Sequence, residues 1–269
     1  MQITRFFRWL LMAVVLLAVP VSSFAGVFVS VTVAPPPLPV YTQPACPGDG
    51  YIWTPGYWAW GAGGYYWVPG TWVLAPRPGF LWTPGYWGWS GGVYVWHAGY
   101  WGPHVGFYGG VNYGFGYGGV GFAGGEWRGG TFFYNRSVSN VNVTNVHIYN
   151  RTVINNVTVN RVSYNGGRGG LNARPTRQEQ MAMNERHFAS TRMQMQHEHA
   201  ASTNRDLLAS VNHGHPGMAA TARPGEFHAH GADGSRAAGA PARPENRPVP
   251  ERAMNRNVPH PQNGAHPIE

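Results

Sequence analysis

The sequence predicts a mainly β fold: an antiparallel meander of short aromatic-rich strands, an Asn-rich β segment, a short helix and a disordered tail. Three observations predict it. Ten of the twelve Trp residues lie between Trp53 and Trp101, Asn recurs at every fifth position from Asn135 to Asn165, and Pro, Ala, Gly, Arg and His dominate after residue 213. Gly crowds the middle and Pro the flanks, so only part of the chain can build a packed core.

The N-terminal segment, residues 1–25, has the organisation of a secretory signal peptide. Arg5 and Arg8 precede an apolar run over 10–19, and small residues lead to a cleavage site after Ala25. The run is shorter than the roughly 20 residues of a transmembrane helix, which disfavours a retained anchor. We therefore expect an exported protein of the periplasm, the outer envelope surface or the medium, with no transmembrane span after cleavage.

A Pro-rich leader, residues 26–49, follows and is expected to be extended and unpacked. It holds the only cysteine of the chain, Cys46, which has no intramolecular partner in the oxidising compartment that export implies. An inert thiol is favoured. A disulfide between chains and lipid modification stay open, although the distance of Cys46 from the apolar run disfavours a lipid.

Residues 50–130 form the expected Trp/Tyr/Gly repeat domain. Four copies of one pattern occur: Y-I-W-T-P-G-Y-W from Tyr51, Y-Y-W-V-P-G-T-W from Tyr65, F-L-W-T-P-G-Y-W from Phe80 and Y-V-W-H-A-G-Y-W from Tyr94. Residues two apart in a strand share a face, so the rings of each copy gather on one side. The expected platform, serving as core or as ligand-facing surface, consists of Trp53, Trp58, Trp60, Trp67, Trp72, Trp82, Trp87, Trp89, Trp96 and Trp101.

Turn chemistry predicts how the strands connect. Pro55-Gly56 fits a type II turn, in which Gly accepts φ > 0 at the third position. Trp53 and Trp58 would then face each other across this turn as a cross-strand pair. Residues 61–64 and 90–93 fit tight hairpin turns, so Pro-Gly and Gly-Gly turns would alternate along the meander.

The copies resemble the YXWGXW (WXXGXW) repeat family of bacterial exported proteins. The likeness extends through Tyr100-Trp101-Gly102-Pro103-His104 into the Asn-rich segment and covers roughly residues 26–170. The fourth copy departs from the others, with His97-Ala98 where they have Thr or Val followed by Pro, which marks it as a terminal repeat. The family has no established activity, so the resemblance implies export without a function.

The Gly- and aromatic-rich stretch from residue 102 to 130 is expected to add thin strands to the same sheet, with disorder as the alternative. Residues 131–167 form an Asn-rich β segment of the same domain. Because side chains alternate with a period of two in a strand, the step of five places Asn on both faces. Long strands packed on the aromatic sheet are favoured over a coiled path.

Residues 168–212 are expected to form a linker and a helix, since good helix formers run from Thr176 to His199, with a second short helix from Arg205 to Asn212. Met181, Phe188 and Met195 recur every seven residues, as in a packing stripe. Residues 213–269 are predicted to be a disordered Pro/Ala/Arg/His tail.

Charge argues against catalysis. Between Asp49 and Glu126 the only formal charge is Arg77, so the aromatic region lacks the carboxylate pair of a glycosidase and the carboxylate of a catalytic triad. The net charge of +8 comes from Arg residues outside that region, whereas nucleic-acid binding favours basic and aromatic residues together. We expect no enzyme activity, no cofactor and no nucleic-acid partner.

Histidine spacing gives only weak metal candidates. His97 and His104 lack further ligands nearby for a tetrahedral site, and a hydrogen-bonded structural role is favoured for both. Histidines at a spacing of two in the C-terminal third of the chain can hold Cu, Ni or Zn weakly, but solvated side chains are favoured. These candidates are His197, His199, His213, His215, His228 and His230.

The leading functional hypothesis is an exported, non-enzymatic structural or interaction protein of the cell envelope that self-associates or lines a surface. The alternative is a carbohydrate-binding module for peptidoglycan or exopolysaccharide, with Trp58, Trp60, Trp87 and Trp89 as an exposed platform. A weak metal-binding tail protein is a second alternative. Solvent exposure of the repeat indoles discriminates between the first two.

Overall fold

The computed structural model describes residues 29–142, 144, 146–152, 161–227 and 234–238. Most of its regular structure consists of short strands in small, mainly antiparallel sheets, with few helices, which confirms the predicted fold class. The expected signal peptide lies outside the described residues. None of the helices in the described ranges is long and apolar enough to cross a membrane.

The first two copies of the repeat form one long hairpin with a break in its middle. Its strands are β2 (Tyr51–Thr54), β3 (Tyr57–Gly61), β4 (Gly64–Val68) and β5 (Gly70–Leu74). β3 pairs with β4 and, beyond the break, β2 pairs with β5. Thr54 faces Thr71 before the break and Tyr57 faces Val68 after it, so both strands skip two residues and the register continues.

The third and fourth copies repeat this arrangement. The strands are β6 (Leu81–Thr83), β7 (Tyr86–Ser90), β8 (Val93–His97) and β9 (Tyr100–Gly102). β7 pairs with β8 around a Gly91-Gly92 turn, and β6 pairs with β9. Both predicted hairpin turns, at 61–64 and 90–93, are confirmed.

The predicted pairing across Pro55-Gly56 is wrong. Trp53 faces Trp72 and Trp58 faces Trp67, so the strands nest around the hairpin tip instead of folding back at each Pro-Gly. Gly56 does not have positive φ, and no type II turn forms there. The chain stays extended through Pro55-Gly56 and passes from one sheet to the next.

The leader is extended, as expected, but it is packed against the hairpins. Strand β1 (Ser30–Val31) pairs with β8, and Leu38 is buried. Proline lacks an N–H, but its carbonyl accepts hydrogen bonds, and the carbonyls of Pro37 and Pro44 accept them from repeat indoles. The expectation of an unpacked leader is therefore wrong for its described part.

The Gly- and aromatic-rich stretch forms small sheets of its own. Strands β10 (Asn112–Gly114) and β11 (Tyr117–Gly118) make a two-stranded hairpin. Strands β12 (Gly125–Arg128) and β13 (Thr131–Asn135) pair antiparallel. They are separate from the sheets of the two repeat hairpins, so the expected single continuous sheet is wrong.

Within the described part of the Asn-rich segment, strands are short. β14 (His147–Tyr149) runs parallel to β13, and β15 (Tyr164–Asn165) runs parallel to β7. The side chain of buried Asn135 bonds the backbone of Ala123, Ser137 and Arg151. Asn thus holds loops together here, so the expected long strands with Asn on both faces are wrong for this part, while residues 143, 145 and 153–160 lie outside the described residues.

The predicted helical region contains two helices and a break. Helices α1 (Arg177–Met183) and α2 (Arg192–Ser202) each begin at a Thr whose side chain caps the first turn in a capping box. Phe188 lies between them and pairs with Trp101. Met181 and Met195 are both 54% exposed, so the expected apolar stripe is wrong.

The second predicted helix is confirmed as a 3-10 turn (Arg205–Leu207) followed by helix α3 (Ala209–Asn212). Order extends past the expected boundary at residue 213, because β16 (Ala220–Thr221) pairs with β5 and with β17 (Gly234–Ser235). Residues 228–233 and 239–269 lie outside the described residues. The small buried side chains of Ala219 and Ala220 let this strand approach the first hairpin closely.

Candidate functional site

The expected aromatic platform is mostly core. Trp60 is 37% exposed and Trp89 41% exposed, while Trp96 is half-buried against the core cluster. A fully buried aromatic ring stabilises a fold by several kcal/mol, since it removes ~150–250 Å² from water at ~25 cal/mol per Å². The remaining platform residues are all buried: Trp53, Trp58, Trp67, Trp72, Trp82, Trp87 and Trp101.

Eight of the ten platform indoles, the seven buried ones and Trp96, form four cross-strand pairs. The ring centroids lie 5.2–5.3 Å apart at interplanar angles of 52–67°, close to edge-to-face. Such aromatic pairs contribute about 0.5–1.5 kcal/mol beyond their burial. The pairs are Trp53–Trp72, Trp58–Trp67, Trp82–Trp101 and Trp87–Trp96.

The glycine of each copy makes room for an indole of the opposite strand. A Cβ atom on Gly70 would lie 2.6 Å from Cζ2 of Trp53, and one on Gly56 would overlap Trp67. The second hairpin repeats this contact, with 2.5 Å from Gly85 to Trp96 and from Gly99 to Trp82. Since none of the four has positive φ, the glycine is required for space.

Five buried repeat indoles donate their N–H to the protein itself, whereas the buried N–H of Trp53 has no partner among the described residues. Trp67 donates to the Ala219 carbonyl at 2.9 Å, and Trp87 donates to the Trp58 carbonyl at 2.8 Å. Trp101 donates to the side-chain oxygen of Gln194 at 2.8 Å. Because a buried N–H without a partner is costly, these bonds fix the residue before β16 and helix α2 on the hairpins and join the two hairpins to each other.

The two exposed indoles occupy equivalent places near the two hairpin tips. Trp60 packs edge-to-face on Tyr65 and Trp89 on Tyr94, with centroids 4.8 and 4.7 Å apart. A Cβ atom on Gly167 would lie 3.0 Å from the Trp89 ring, so the loop after β15 covers part of it. Each exposed ring therefore offers only part of its surface to a ligand.

The two hairpins meet through aromatic contacts. Tyr57 of β3 stacks on Trp96 of β8 with centroids 5.1 Å apart and planes 18° apart. A cavity of about 60 Å³ lies at this junction and is lined by both hairpins, β10, Ser190 and Glu198 of α2. Burial raises the pKa of the Glu198 carboxyl above its ordinary value, although hydrogen bonds from Tyr57 and Tyr66 act in the opposite direction.

His197 is a structural residue. Its ring is buried and stacks on Phe227. The Gly225 N–H donates to Nδ1 at 2.9 Å, which leaves Nε2 as the donor to the Pro69 carbonyl at 2.9 Å. Burial lowers the pKa of His197 to about 4, so the ring is neutral near pH 7 and both nitrogens are occupied. His197 is therefore not available as a metal ligand.

The other histidine candidates are dispersed. His199 and His213 are exposed, and His215 bonds the Ala238 carbonyl; His228 and His230 lie outside the described residues. Over the described ranges, no three His, Cys, Asp or Glu side chains are grouped as metal ligands. His97 stacks on Tyr86 and His104 pairs with Glu185.

Cys46 is buried in the leader. Its thiol donates to the Gly48 carbonyl at 3.1 Å, and burial raises its pKa to about 11. A buried thiol with a high pKa is a poor nucleophile. These features favour the inert-thiol interpretation over a disulfide between chains.

Sequence reasoning missed the buried tyrosines of the Gly-rich stretch. The Tyr113 hydroxyl donates to the Gly85 carbonyl at 2.6 Å, and Tyr117 donates to the Trp82 carbonyl at 2.9 Å. Burial raises the pKa of both phenols. The two phenols satisfy the carbonyl of Gly85 in the break of the second hairpin and that of Trp82 in β6 just before it. The Gly-aromatic alternation alone does not indicate this role.

The family model of the WXXGXW repeat matches residues 48–73 and 77–101. The resemblance seen in the sequence is thus confirmed, and the chain carries two copies of the WXXGXW repeat. Each matched copy covers nearly all of one broken hairpin, so the family unit contains two of the four sequence copies. No curated protein and no solved structure matches the chain.

Proposed function

We propose that this WXXGXW-repeat protein is an exported, non-enzymatic structural or interaction protein of the cell envelope. The observation that carries the proposal is the placement of the repeat indoles: most are buried, and several donate their N–H to carbonyls of the same chain. Rings used in this way stabilise a scaffold. The signal-like residues 1–25 support export.

The scaffold suits an envelope protein because its cohesion depends little on charge. The Trp pairs and their hydrogen bonds form one core cluster without an ion pair inside it. Stacking and apolar burial are weakly affected by salt, whereas surface ion pairs are screened. A protein outside the cytoplasm meets changing ionic strength, and the stability of a core of this composition should depend little on it.

Export and assembly are tested on the full-length chain expressed with its N-terminal segment. We expect the mature protein outside the cytoplasm with Gly26 as its first residue, as measured by fractionation and intact mass. Its mass in solution across concentrations is expected to rise through self-association. Cytoplasmic retention of an uncleaved chain, or a strict monomer without any surface partner, contradicts the proposal.

A carbohydrate-binding module is the second candidate, and the exposure of Trp60 and Trp89 supports it. Trp58 and Trp87 are buried, so the proposed platform is reduced to one ring at each tip. Titration with soluble peptidoglycan fragments should quench or shift Trp fluorescence if sugars stack there. The Trp60→Ala and Trp89→Ala variants should then lose the response, whereas Trp127→Phe, outside the tips, should keep it.

A further inference from the structure

A small cavity lies between the two hairpins. Its volume is about 60 Å³, room for roughly two water molecules or a small ion at ~30 Å³ per water. Ala98 is exposed, so the cavity reaches the surface beside it. The side chains that decide its chemistry are Tyr57, Trp82, Trp96, Ala98, Tyr113 and Glu198.

The fourth copy of the repeat leaves room at this place. Ala98 stands where the other copies have Pro55, Pro69 and Pro84. Its counterpart in the first hairpin is Pro69, whose carbonyl accepts a hydrogen bond from the buried ring of His197. The adjacent Glu198 instead faces the cavity at the second hairpin. The departure of the fourth copy from the repeat therefore coincides with the space.

The lining combines aromatic rings with one acidic group. Four rings, from Tyr57, Trp82, Trp96 and Tyr113, surround the space, and Glu198 is the only carboxyl among its lining residues. Aromatic faces attract cations, and desolvation strengthens this attraction. An ionised carboxylate in a partly buried site gains from a nearby positive charge.

We propose that this cavity binds a small ammonium group, held between the aromatic side chains and the Glu198 carboxylate. The group is a free ion or the end of a longer amine that enters beside Ala98. The hydroxyls of Tyr57 and Tyr66 interact with the Glu198 carboxylate, and the ammonium N–H groups donate to its oxygens as well. This site is independent of the proposed envelope role.

Methylammonium chloride is the probe, titrated into the folded protein at constant ionic strength with sodium chloride as the reference salt. Two of the lining rings are indoles, so a bound ammonium group should change Trp fluorescence. A change that saturates with concentration reports binding. With two non-hydrogen atoms, the affinity should be on the order of millimolar. Tetramethylammonium, which has no N–H to donate and a methyl group on every side of its charge, should give no saturation. A response identical to that of sodium chloride overturns the proposal.

Two variants locate the site. Glu198→Gln keeps the shape and removes the charge, and should weaken methylammonium binding at least tenfold. Ala98→Pro restores the residue of the other copies and should have the same effect by filling the entrance. Glu185→Gln, a change at the His104 partner outside the cavity, should bind like the parent. If Ala98→Pro fails to fold, Glu198→Gln decides, and unchanged binding in it overturns the proposal.

Butylammonium separates the two sources of the group. If it binds at least as tightly as methylammonium and loses binding with Glu198→Gln, the ammonium enters as an end group. If methylammonium alone binds, the site takes the free ion. Both results support the proposal, whereas binding of either probe that is insensitive to Glu198→Gln contradicts it.

Discussion

The glycine in the WXXGXW repeat acts through its missing side chain. At Gly56 and Gly85 the indole of the opposing strand lies where a Cβ atom would stand. Real Cβ contacts this short do not occur, so any other residue must displace the fully buried indole of Trp67 or the half-buried indole of Trp96. This explains why the repeat joins one Gly to two Trp at fixed spacing.

Gly56→Ala should destabilise the protein by about 1–3 kcal/mol, the usual cost of overpacking a core. The cost arises because the new methyl group overlaps Trp67 and must shift the Trp58–Trp67 pair. The measurement is the denaturant midpoint followed by Trp fluorescence. Gly48→Ala is the matched control, since nothing lies within 4 Å of its Cβ position, and it should change stability little. Equal effects of both changes would rule out the steric role.

The buried imidazole of His197 should make stability sensitive to acid. Its folded-state pKa is about 4 against an ordinary value of 6.5, so the native state binds fewer protons than the unfolded chain. Its contribution is therefore complete above pH 6.5 and is lost as the pH falls from 6.5 through about 4. The loss amounts to about 3 kcal/mol, measurable from denaturant midpoints at several pH values.

The His197→Gln variant tests this assignment. Its amide retains a donor for the Pro69 carbonyl but does not gain a proton between pH 7 and 4, so this part of the acid dependence should disappear. Exposed His199 provides the control, and His199→Gln should keep the dependence of the parent. A parent-like pH profile in His197→Gln would refute the assignment.

At the scale of elements, the strand positions and the two pairings at the hairpin tips could be predicted, but the pairings β2–β5 and β6–β9 could not. The alternation of aromatic rings predicted strands at all four copies. The Gly-rich tips predicted that β3 pairs with β4 and β7 with β8, which the structure confirms. The prediction at Pro55-Gly56 was wrong because the same dipeptide fits either a tight turn or an extended connection between two strands. The choice between turn and break depends on the volume of an indole from the opposite strand. The residues of the turn itself carry no information about that indole.

The helix α2 is tied to the second hairpin by Gln194. Its side-chain oxygen accepts from the Thr191 N–H of the capping box and from Trp101 Nε1, both at 2.8 Å. Gln194→Ala should destabilise the protein by about 2 kcal/mol, because it leaves a buried indole N–H unpaired and weakens the cap. Exposed Gln196 in the same helix is the control for thermal unfolding. A Gln196→Ala variant as unstable as Gln194→Ala would argue against this tie.

At the scale of the whole molecule, composition misjudged the two flanks. The Pro-rich leader and the Ala-rich segment at 219–221 have few large apolar side chains, which is typical of unpacked chain. They pack because the hairpins present indole N–H groups that need acceptors, and Pro37, Pro44 and Ala219 supply carbonyls. Backbone acceptors have no sequence signature, so only the three-dimensional arrangement shows these contacts.

The cavity and its carboxylate also could not be predicted from the sequence. The exceptional Ala98 was visible, but Glu198 stands a hundred positions later and reaches the second hairpin only through the packing of α2. By contrast, the spacing of the repeat predicted that its rings gather on one face, but it left open whether that face is core or ligand-facing. The aromatic residues were thus predictable as a set, while their burial and the polar groups around them were not.

The arrangement that organises the repeat is a broken hairpin formed by two sequence copies, in which each repeat glycine leaves space for an indole of the opposite strand. Nuclear Overhauser contacts in the folded protein test it most directly, without altering a residue. The predicted result is a strong contact from the Gly56 Hα to the Trp67 ring and from Gly70 Hα to the Trp53 ring, with upfield-shifted Hα signals. Contacts between the Trp53 and Trp58 rings across Pro55-Gly56, without those glycine contacts, would contradict the account.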